Sequence, residues 1–162
     1  MASEGKRPRL TAPPGACDTH MHVYDGRFKL APTATFKPPH APTADYLAMR
    51  ARIGIARTVV VQPTGYGFDN DCTLEAMAAM GGSARGIAVV PQDVNDAELE
   101  RLTKAGMRGI RYFMLPGGVL PWESLDAMAA KVGAFGWHVQ LQLDGRQLPE
   151  REAALKRLTG TL

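Results

Sequence analysis

The chain has 162 residues and a formal net charge of +3, with 45% hydrophobic and 22% charged residues, which is typical of one globular domain. It contains no apolar segment of the secretory type and no apolar run long enough to cross a bilayer, so we expect no membrane partner. Cys17 and Cys72 are too few for a disulfide framework, which favours a reducing, cytoplasmic location.

The start of the chain is basic and rich in proline. Lys6, Arg7 and Arg9 form the only basic cluster, and we interpret residues 1–14 as a disordered tail. No basic or aromatic face accompanies the cluster, so nucleic acid is not an expected partner. Residues 15–162 show no break in composition and are predicted to form one domain.

Five short apolar runs alternate with five helix-like stretches along the rest of the chain. The predicted strands are Cys17–Val23, Thr58–Gln62, Gly86–Val90, Gly109–Met114 and Trp137–Leu143. The predicted helices are Ala44–Ile53, Asp71–Met80, Asp96–Ala105, Pro121–Val132 and Pro149–Leu158. Asn95 and Glu98 form a capping box at the third helix. The alternation predicts βα units and therefore a parallel sheet.

The first predicted strand contains the run Asp18-Thr19-His20-Met21-His22. Residues two apart share one face of a strand, so His20 and His22 are predicted to point the same way, with Asp18 behind them. Two converging imidazoles can hold a metal ion or polarise a substrate oxygen. Two unrelated histidines, one packed and one solvated, would give the same short pattern.

Polar residues on two later strands favour a barrel over an open doubly wound sheet. In the fifth strand His138, Gln140 and Gln142 share one face, and Arg111 interrupts an apolar fourth strand. An open sheet would bury these groups under helices at high cost, whereas a barrel interior near the carboxyl ends of its strands would collect Arg111 and Gln142 beside the histidines. A salt bridge inside the barrel is the alternative role for Arg111.

The loop that follows the second strand has the features of a substrate loop. It contains Thr64, Tyr66 and Asn70, with glycines that give the backbone freedom, and it lacks the third glycine of a dinucleotide fingerprint. Asn70 could equally cap the next helix. The glycines Gly117 and Gly118, after the fourth strand, either admit a ligand or make a turn.

The sequence resembles the amidohydrolase-related (amidohydrolase 2) family of (β/α)8 barrels. The resemblance is closest to the branch of 2-pyrone-4,6-dicarboxylate lactonases and sugar-acid lactone hydrolases and isomerases. The matching motifs are the strand Cys17–Asp25, Arg57–Gln62, Gly109-Ile110-Arg111, Leu115-Pro116-Gly117-Gly118 and Trp137–Gly145. Each motif alone is not specific for the family, so the resemblance depends on their order and spacing along the chain.

The resemblance implies roles for matching positions. His20 and His22 correspond to the catalytic first-strand histidines, which hold a divalent metal such as zinc or manganese in many amidohydrolases. Because the lactonase branch can work without metal, two alternatives stay open: a bound divalent metal, or no cofactor. Arg111 would bind a substrate carboxylate, and Thr64 and Gln142 would hydrogen-bond the substrate, with Tyr66 as a further candidate from the loop.

The chain is shorter than a complete barrel of about 250 residues. It supplies five βα units, so we expect the N-terminal portion of an incomplete barrel, without the late-strand histidine and aspartate of the family. His138 begins its strand and is expected at the barrel floor. His40 is a candidate substitute for the missing histidine, and His40 and Asp25 are the first alternatives for a third metal ligand.

Three functions are therefore expected. The first is hydrolysis of a carboxylated lactone in sugar-acid or aromatic catabolism, with this chain inactive on its own. The second is a metal-dependent decarboxylase or amide hydrolase of the same fold. The third is a non-catalytic pseudoenzyme or interaction module that self-associates through open sheet edges.

Overall fold

The computed structural model describes residues 8–158, 160 and 162. The strands are β1 (Cys17–Met21), β2 (Arg57–Val61), β3 (Ala84–Ala88), β4 (Met107–Phe113) and β5 (His138–Gln142). The helices are α1 (Thr43–Ile53), α2 (Asp71–Met80), α3 (Asp96–Lys104), α4 (Leu125–Gly133) and α5 (Leu148–Arg157). All ten predicted elements are present, and most boundaries differ from the prediction by one or two residues.

The largest boundary difference is at α4. The prediction placed its start at Pro121, but a single 3₁₀ turn over Trp122–Ser124 precedes the helix. The hydroxyl of Ser124 donates to the carbonyl of Pro121 and also contacts the hydroxyl of Tyr112. These contacts tie the turn to β4, so the α-helix begins after it.

The five strands form one parallel sheet in the order β1-β2-β3-β4-β5. A sheet that adds each strand beside the previous one is the winding of a (β/α) barrel, whereas a doubly wound sheet reverses its strand order. The chain therefore forms an incomplete barrel of five βα units, as the sequence predicts. Among the described residues, β1 and β5 form the two edges of the sheet.

The main core lies between the sheet and its helices. Leu99 and Leu102 of α3 and Val132 of α4 are fully buried against Met107 and Ile110 of β4. Val90, just beyond β3, is also buried, with 2% of its surface exposed. Val90 therefore belongs to the core and not to a surface that is open to water.

Two local features shape the carboxyl ends of the strands. The pairing of β1 with β2 shifts between Asp18 and Met21, so β1 has one extra residue there. After β4, the amide of Gly118 donates to the carbonyl of Leu115, and a β-carbon at Gly118 would lie 1.8 Å from the carbonyl oxygen of Phe113. Gly118 therefore makes the turn, which was one of its two predicted roles.

The described part of the chain begins at residue 8, within the basic N-terminal segment. Residues 1–7 lie outside the described residues, so the interpretation of residues 1–14 as a disordered tail stays a prediction. Within the described part, the amide of Ala12 donates to the carbonyl of Ile53 at the end of α1. No helix among the described residues is long and apolar enough to cross a membrane.

Candidate active site

The two histidines of the first strand converge. The Nε2 atoms of His20 and His22 lie 3.4 Å apart, and the two rings meet edge to face. The Nδ1 atom of His22 lies 2.7 Å from the carbonyl oxygen of Val61 at the end of β2. A carbonyl only accepts, so the proton of neutral His22 is on Nδ1 and its Nε2 is an acceptor. The proton shared between the two rings therefore belongs to His20.

Both imidazoles are held in the neutral form. The pKa of His22 is lowered to about 4, chiefly by burial and also by the charge of Arg111, against the opposing effect of its bond to Val61. His20 is exposed at the edge of the sheet, but its ring is partly desolvated, and its pKa is lowered by that desolvation and then by Arg111. Neutral rings keep a lone pair available, so the pair can exchange a hydrogen bond or share a ligand.

Arg111 of β4 lies close enough to both histidines to shift their pKa values, and only 5% of its surface is exposed. Its Nη1 atom donates to the carbonyl of Gln62 at 3.0 Å, and its Nη2 atom donates to the side-chain oxygen of Gln142 at 2.6 Å. Its Nε atom is buried without a partner. No carboxylate among the described residues pairs with it, so the alternative of a salt bridge is not formed within this part of the chain.

Gln62 organises the loop that follows β2, a role that the sequence analysis did not assign. Its side chain is fully buried, donates to the carbonyls of Gly67 and Asp69, and accepts from the hydroxyl of Thr73 in α2. Since its backbone carbonyl also accepts from Arg111, one residue fixes both the loop and the guanidinium. The signal in the sequence was a glutamine directly after a β-branched strand.

Asn70 does not have the capping role that was one of its two predicted roles. It occupies the position before α2, but its side chain makes no capping hydrogen bond. Its amide donates to the carbonyls of Phe68 and Val89, and its side-chain oxygen accepts from the amide of Val89. Asn70 therefore pairs with the backbone beyond β3 as a neighbouring strand would, and the side chain of Asp69 accepts from the amide of Asp71 instead.

The other two candidates from this loop occupy different surroundings. Thr64 lines a small cavity together with Arg111 and Phe113, so it lies beside the guanidinium. Tyr66 is buried, and its hydroxyl is bonded to the backbone amide and carbonyl of Asp25. The structure therefore brings Thr64 and Gln142 to Arg111, while the hydroxyl of Tyr66 is engaged in holding the loop after β1.

Asp18 lies on the opposite side of β1 from the position that simple alternation implies. Its carboxylate accepts from the hydroxyl of Tyr46 in α1, and that hydroxyl also contacts Thr58, which is paired with Asp18 across the strands. The extra residue in β1 interrupts the alternation between Asp18 and Met21. Asp18 nevertheless acts on the histidines, since its second oxygen accepts from the amide of His20.

Tyr24 is a further residue of the site that the sequence analysis missed. Its ring lies 6.3 Å from that of His22, and the charge of Arg111 acts on its hydroxyl. The ring packs between Phe36 and Tyr66, and the backbone pairs with Ala41. The signal in the sequence was the period of two, because Tyr24 follows His22 at the same spacing that joins His20 to His22.

The described residues do not complete a metal site. Two ligands of one tetrahedral zinc ion, each about 2.05 Å from it, lie roughly 3.3 Å apart, which the two Nε2 atoms match. However, no group of three or more metal-ligating side chains occurs within residues 8–158, 160 and 162. Asp25 instead pairs with Arg27, and the charge of Arg111 opposes a cation at the imidazoles. The metal roles of His20 and His22 therefore remain untested predictions.

The remaining histidines lie away from this pair. His138 is the first residue of β5 and is paired with Gly109 near the beginning of β4, at the floor of the half-barrel as predicted. His40 lies in the loop before α1, where its Nδ1 atom accepts from the amide of Gly26 at 3.4 Å. Neither residue supplies a third imidazole to His20 and His22.

A parallel βα half-barrel with two neutral histidines and a buried arginine at the carboxyl ends of its strands has the architecture of a barrel hydrolase. The chain belongs to the amidohydrolase family, whose sequence pattern matches residues 17–162. Both the family and the barrel fold that the motifs predict are thus confirmed.

Individual relatives agree with this assignment. The chain is 38% identical to the 2-pyrone-4,6-dicarboxylate hydrolase of Comamonas testosteroni over 89% of this chain and 48% of that protein. It is 32% identical to the D-galactarolactone isomerase of Agrobacterium fabrum over 95% of this chain and 53% of that protein. The chain thus spans about half the length of the curated relatives it matches.

A solved structure gives the same picture. The crystal structure of a probable 2-pyrone-4,6-dicarboxylic acid hydrolase from Acinetobacter baumannii, with citric acid bound, superposes with a TM-score of 0.80 at 25% identity. The match covers 90% of this chain and 56% of that chain.

Proposed function

We propose that this chain supplies the carboxylate-binding and carbonyl-polarising part of a site that hydrolyses a carboxylated lactone, in sugar-acid or aromatic catabolism. One observation carries the proposal. Two neutral imidazoles with Nε2 atoms 3.4 Å apart lie beside a buried arginine that has no carboxylate partner among the described residues. The relatives that act on lactones support the substrate class.

Arg111 is the proposed carboxylate-binding group. Its Nη2 atom is bonded to an uncharged amide oxygen of Gln142, which is exposed, so this amide occupies the position that a substrate carboxylate oxygen would take. A carboxylate would supply the negative charge that the buried guanidinium lacks. Charge-assisted hydrogen bonds of this kind are roughly twice as strong as neutral ones.

His20 is the proposed electrophilic group. The Nδ1 proton of His22 is held by Val61, whereas the Nε2 proton of His20 is shared only with the neighbouring ring. The Nε2–H group of His20 can therefore donate its hydrogen bond to the lactone carbonyl oxygen instead of to His22. That oxygen gains negative charge as water attacks, so the hydrogen bond becomes stronger. Before the substrate binds, His22 orients His20 by accepting a hydrogen bond from its Nε2–H, and the bond to Val61 fixes the tautomer of His22.

A general base for the attacking water is not assigned among the described residues. The carboxylate of Asp18 is bonded to Tyr46 on the helix side of β1, and Asp25 is paired with Arg27. We therefore propose that the 162-residue chain binds a dicarboxylated lactone but does not turn it over. No step is assigned to a metal ion, because the described residues supply only two of its ligands.

A binding measurement tests the role of Arg111 separately from the absence of turnover. Isothermal titration of the purified chain with 2-pyrone-4,6-dicarboxylate is expected to show saturable binding, weakened at least tenfold in Arg111→Gln. Arg157→Gln, in the exposed last turn of α5, removes the same charge and is the matched control. Binding that is unchanged in Arg111→Gln, or absent from the parent chain, contradicts the assignment of Arg111 as the carboxylate-binding group. Turnover by the chain alone contradicts the proposal that it does not hydrolyse the lactone.

The two other hypotheses make different demands. A metal-dependent decarboxylase or amide hydrolase needs at least a third ligand, which the described residues do not supply. A non-catalytic interaction module would use the edges of the sheet. Thr19 and His20 on β1 and Gln142 on β5 are exposed, so we propose that the chain self-associates through these edges.

A further inference from the structure

A separate cavity of about 540 Å³ lies at the other end of the sheet. It is formed by α2, α3 and the first residues of β3 and β4, whereas the histidines lie at the carboxyl ends of the strands. Its charged lining residues are all cations and come from three elements: Arg85, Arg101, Lys104 and Arg108. No carboxylate among the described residues lines the cavity, so the charged groups of its wall favour an anion.

Arg85 and Arg108 are fixed in place without being neutralised. The Nη1 atom of Arg85 donates to the carbonyls of Gly82 and Ala84, and that of Arg108 donates to the carbonyls of Thr103 and Met107. Carbonyl acceptors hold a guanidinium but leave its charge uncompensated. Each side chain therefore keeps its Nε and Nη2 donors for a ligand, and no described carboxylate pairs with either.

Arg101 and Lys104 add positive charge at the rim of the cavity. Each pairs with a glutamate of its own helix, Arg101 with Glu98 at 2.7 Å and Lys104 with Glu100 at 3.3 Å. All four of these side chains are largely exposed, and exposed pairs of this kind contribute about 0–1 kcal/mol. Both cations can therefore turn toward an anion at little cost.

The rest of the lining is apolar or lacks side chains. Leu74 and Met77 of α2 form an apolar wall. Gly81 and Gly82, at the end of α2, have open space where a β-carbon would lie, and Gly106 has a positive φ of 103°. A ligand can thus approach the backbone closely at Gly81 and Gly82, whereas the side chain of Met77 occupies the corresponding space at Gly106. The volume falls within the usual range of small-molecule sites, about 300–1,000 Å³.

We propose that this cavity binds a small organic phosphate, with the phosphate held by Arg85 and Arg108 and the apolar part packed against Leu74 and Met77. Two guanidinium groups suit a phosphate because its dianion offers three strong acceptor oxygens to separate donor pairs. The cavity shares no lining residue with the histidine and Arg111 site. This site is therefore independent of the proposed lactone chemistry.

The test uses phenyl phosphate as the probe and nuclear magnetic resonance of the 162-residue chain. Saturable shifts are expected at the amides of Gly81, Gly82 and Gly106. The double variant Arg85→Gln/Arg108→Gln should weaken binding at least tenfold. The variant Arg146→Gln/Arg157→Gln, with both changes at exposed sites elsewhere, removes the same total charge and should retain the affinity of the parent chain.

Several results would overturn the proposal. These are equal weakening in both double variants, shifts centred on Arg111 instead of the glycines, or inorganic phosphate binding as tightly as phenyl phosphate. If Arg85→Gln/Arg108→Gln does not fold, Arg101→Gln/Lys104→Gln replaces it, with an expected weakening of at least threefold. Affinity equal to that of the parent chain in the replacement variant would also refute the site.

Discussion

The half-buried, neutral state of His22 makes a specific prediction for the pH dependence of stability. Its pKa is lowered to about 4 in the folded chain, whereas an unfolded histidine has a pKa of about 6.5. Between these values the unfolded chain binds the extra proton, so the free energy of unfolding falls as pH is lowered from 6.5 to 4. Above pH 6.5 both states are neutral and this contribution is constant.

The size of the effect follows from the two pKa values. The stability lost to His22 is about 1.4 kcal/mol at pH 5.5 and about 2.5 kcal/mol at pH 4.5, relative to pH 7.5. These are upper limits, because the ring is partly solvated. Carboxylates such as Asp25, whose pKa is lowered by Arg27, lose their contribution only as pH falls below about 4, so they act in a different window.

The prediction is tested with the variant His22→Asn, which keeps a hydrogen-bond donor at this position but removes the titrating group. The asparagine side-chain amide can replace Nδ1 as the donor to Val61 but does not titrate in this range. Urea denaturation at pH 7.5, 5.5 and 4.5 should show a steeper loss of stability in the parent chain than in His22→Asn. His40→Asn, in the exposed loop, should behave like the parent. An identical pH dependence in the parent and His22→Asn would refute the lowered pKa of His22.

Three further outcomes are expected. Asn70→Ala should lower the free energy of unfolding by about 2–3 kcal/mol in urea denaturation, since it leaves the buried backbone of Val89 without partners; a loss below 1 kcal/mol would contradict this role. Because the described part of the chain brings only His20 and His22 together as ligands, dialysis against a chelator should leave well under one zinc or manganese per chain by elemental analysis, and one retained ion would contradict this. Light scattering after size exclusion should show self-association of the 162-residue chain. A stable monomer that unfolds cooperatively would contradict self-association through the sheet edges β1 and β5.

The sequence by itself determined the elements and their class. Alternating apolar runs and capped helical stretches are local patterns, and they predicted five strands, five helices and a parallel sheet of the barrel type. The period of two also brought His20 and His22 to one side, because the two residues lie close together in one segment. The polar faces of the last two strands predicted that Arg111 and Gln142 would meet.

Only the tertiary structure decided which partners these groups take. The one-residue shift between β1 and β2 turned Asp18 toward Tyr46, and no local pattern in the first strand indicates it. Asn70 bonds Val89 instead of capping α2, since the buried backbone beyond β3 needs partners that only a distant side chain supplies. The neutral state of the histidines likewise follows from burial and from the charge of Arg111, which depend on how separate strands pack.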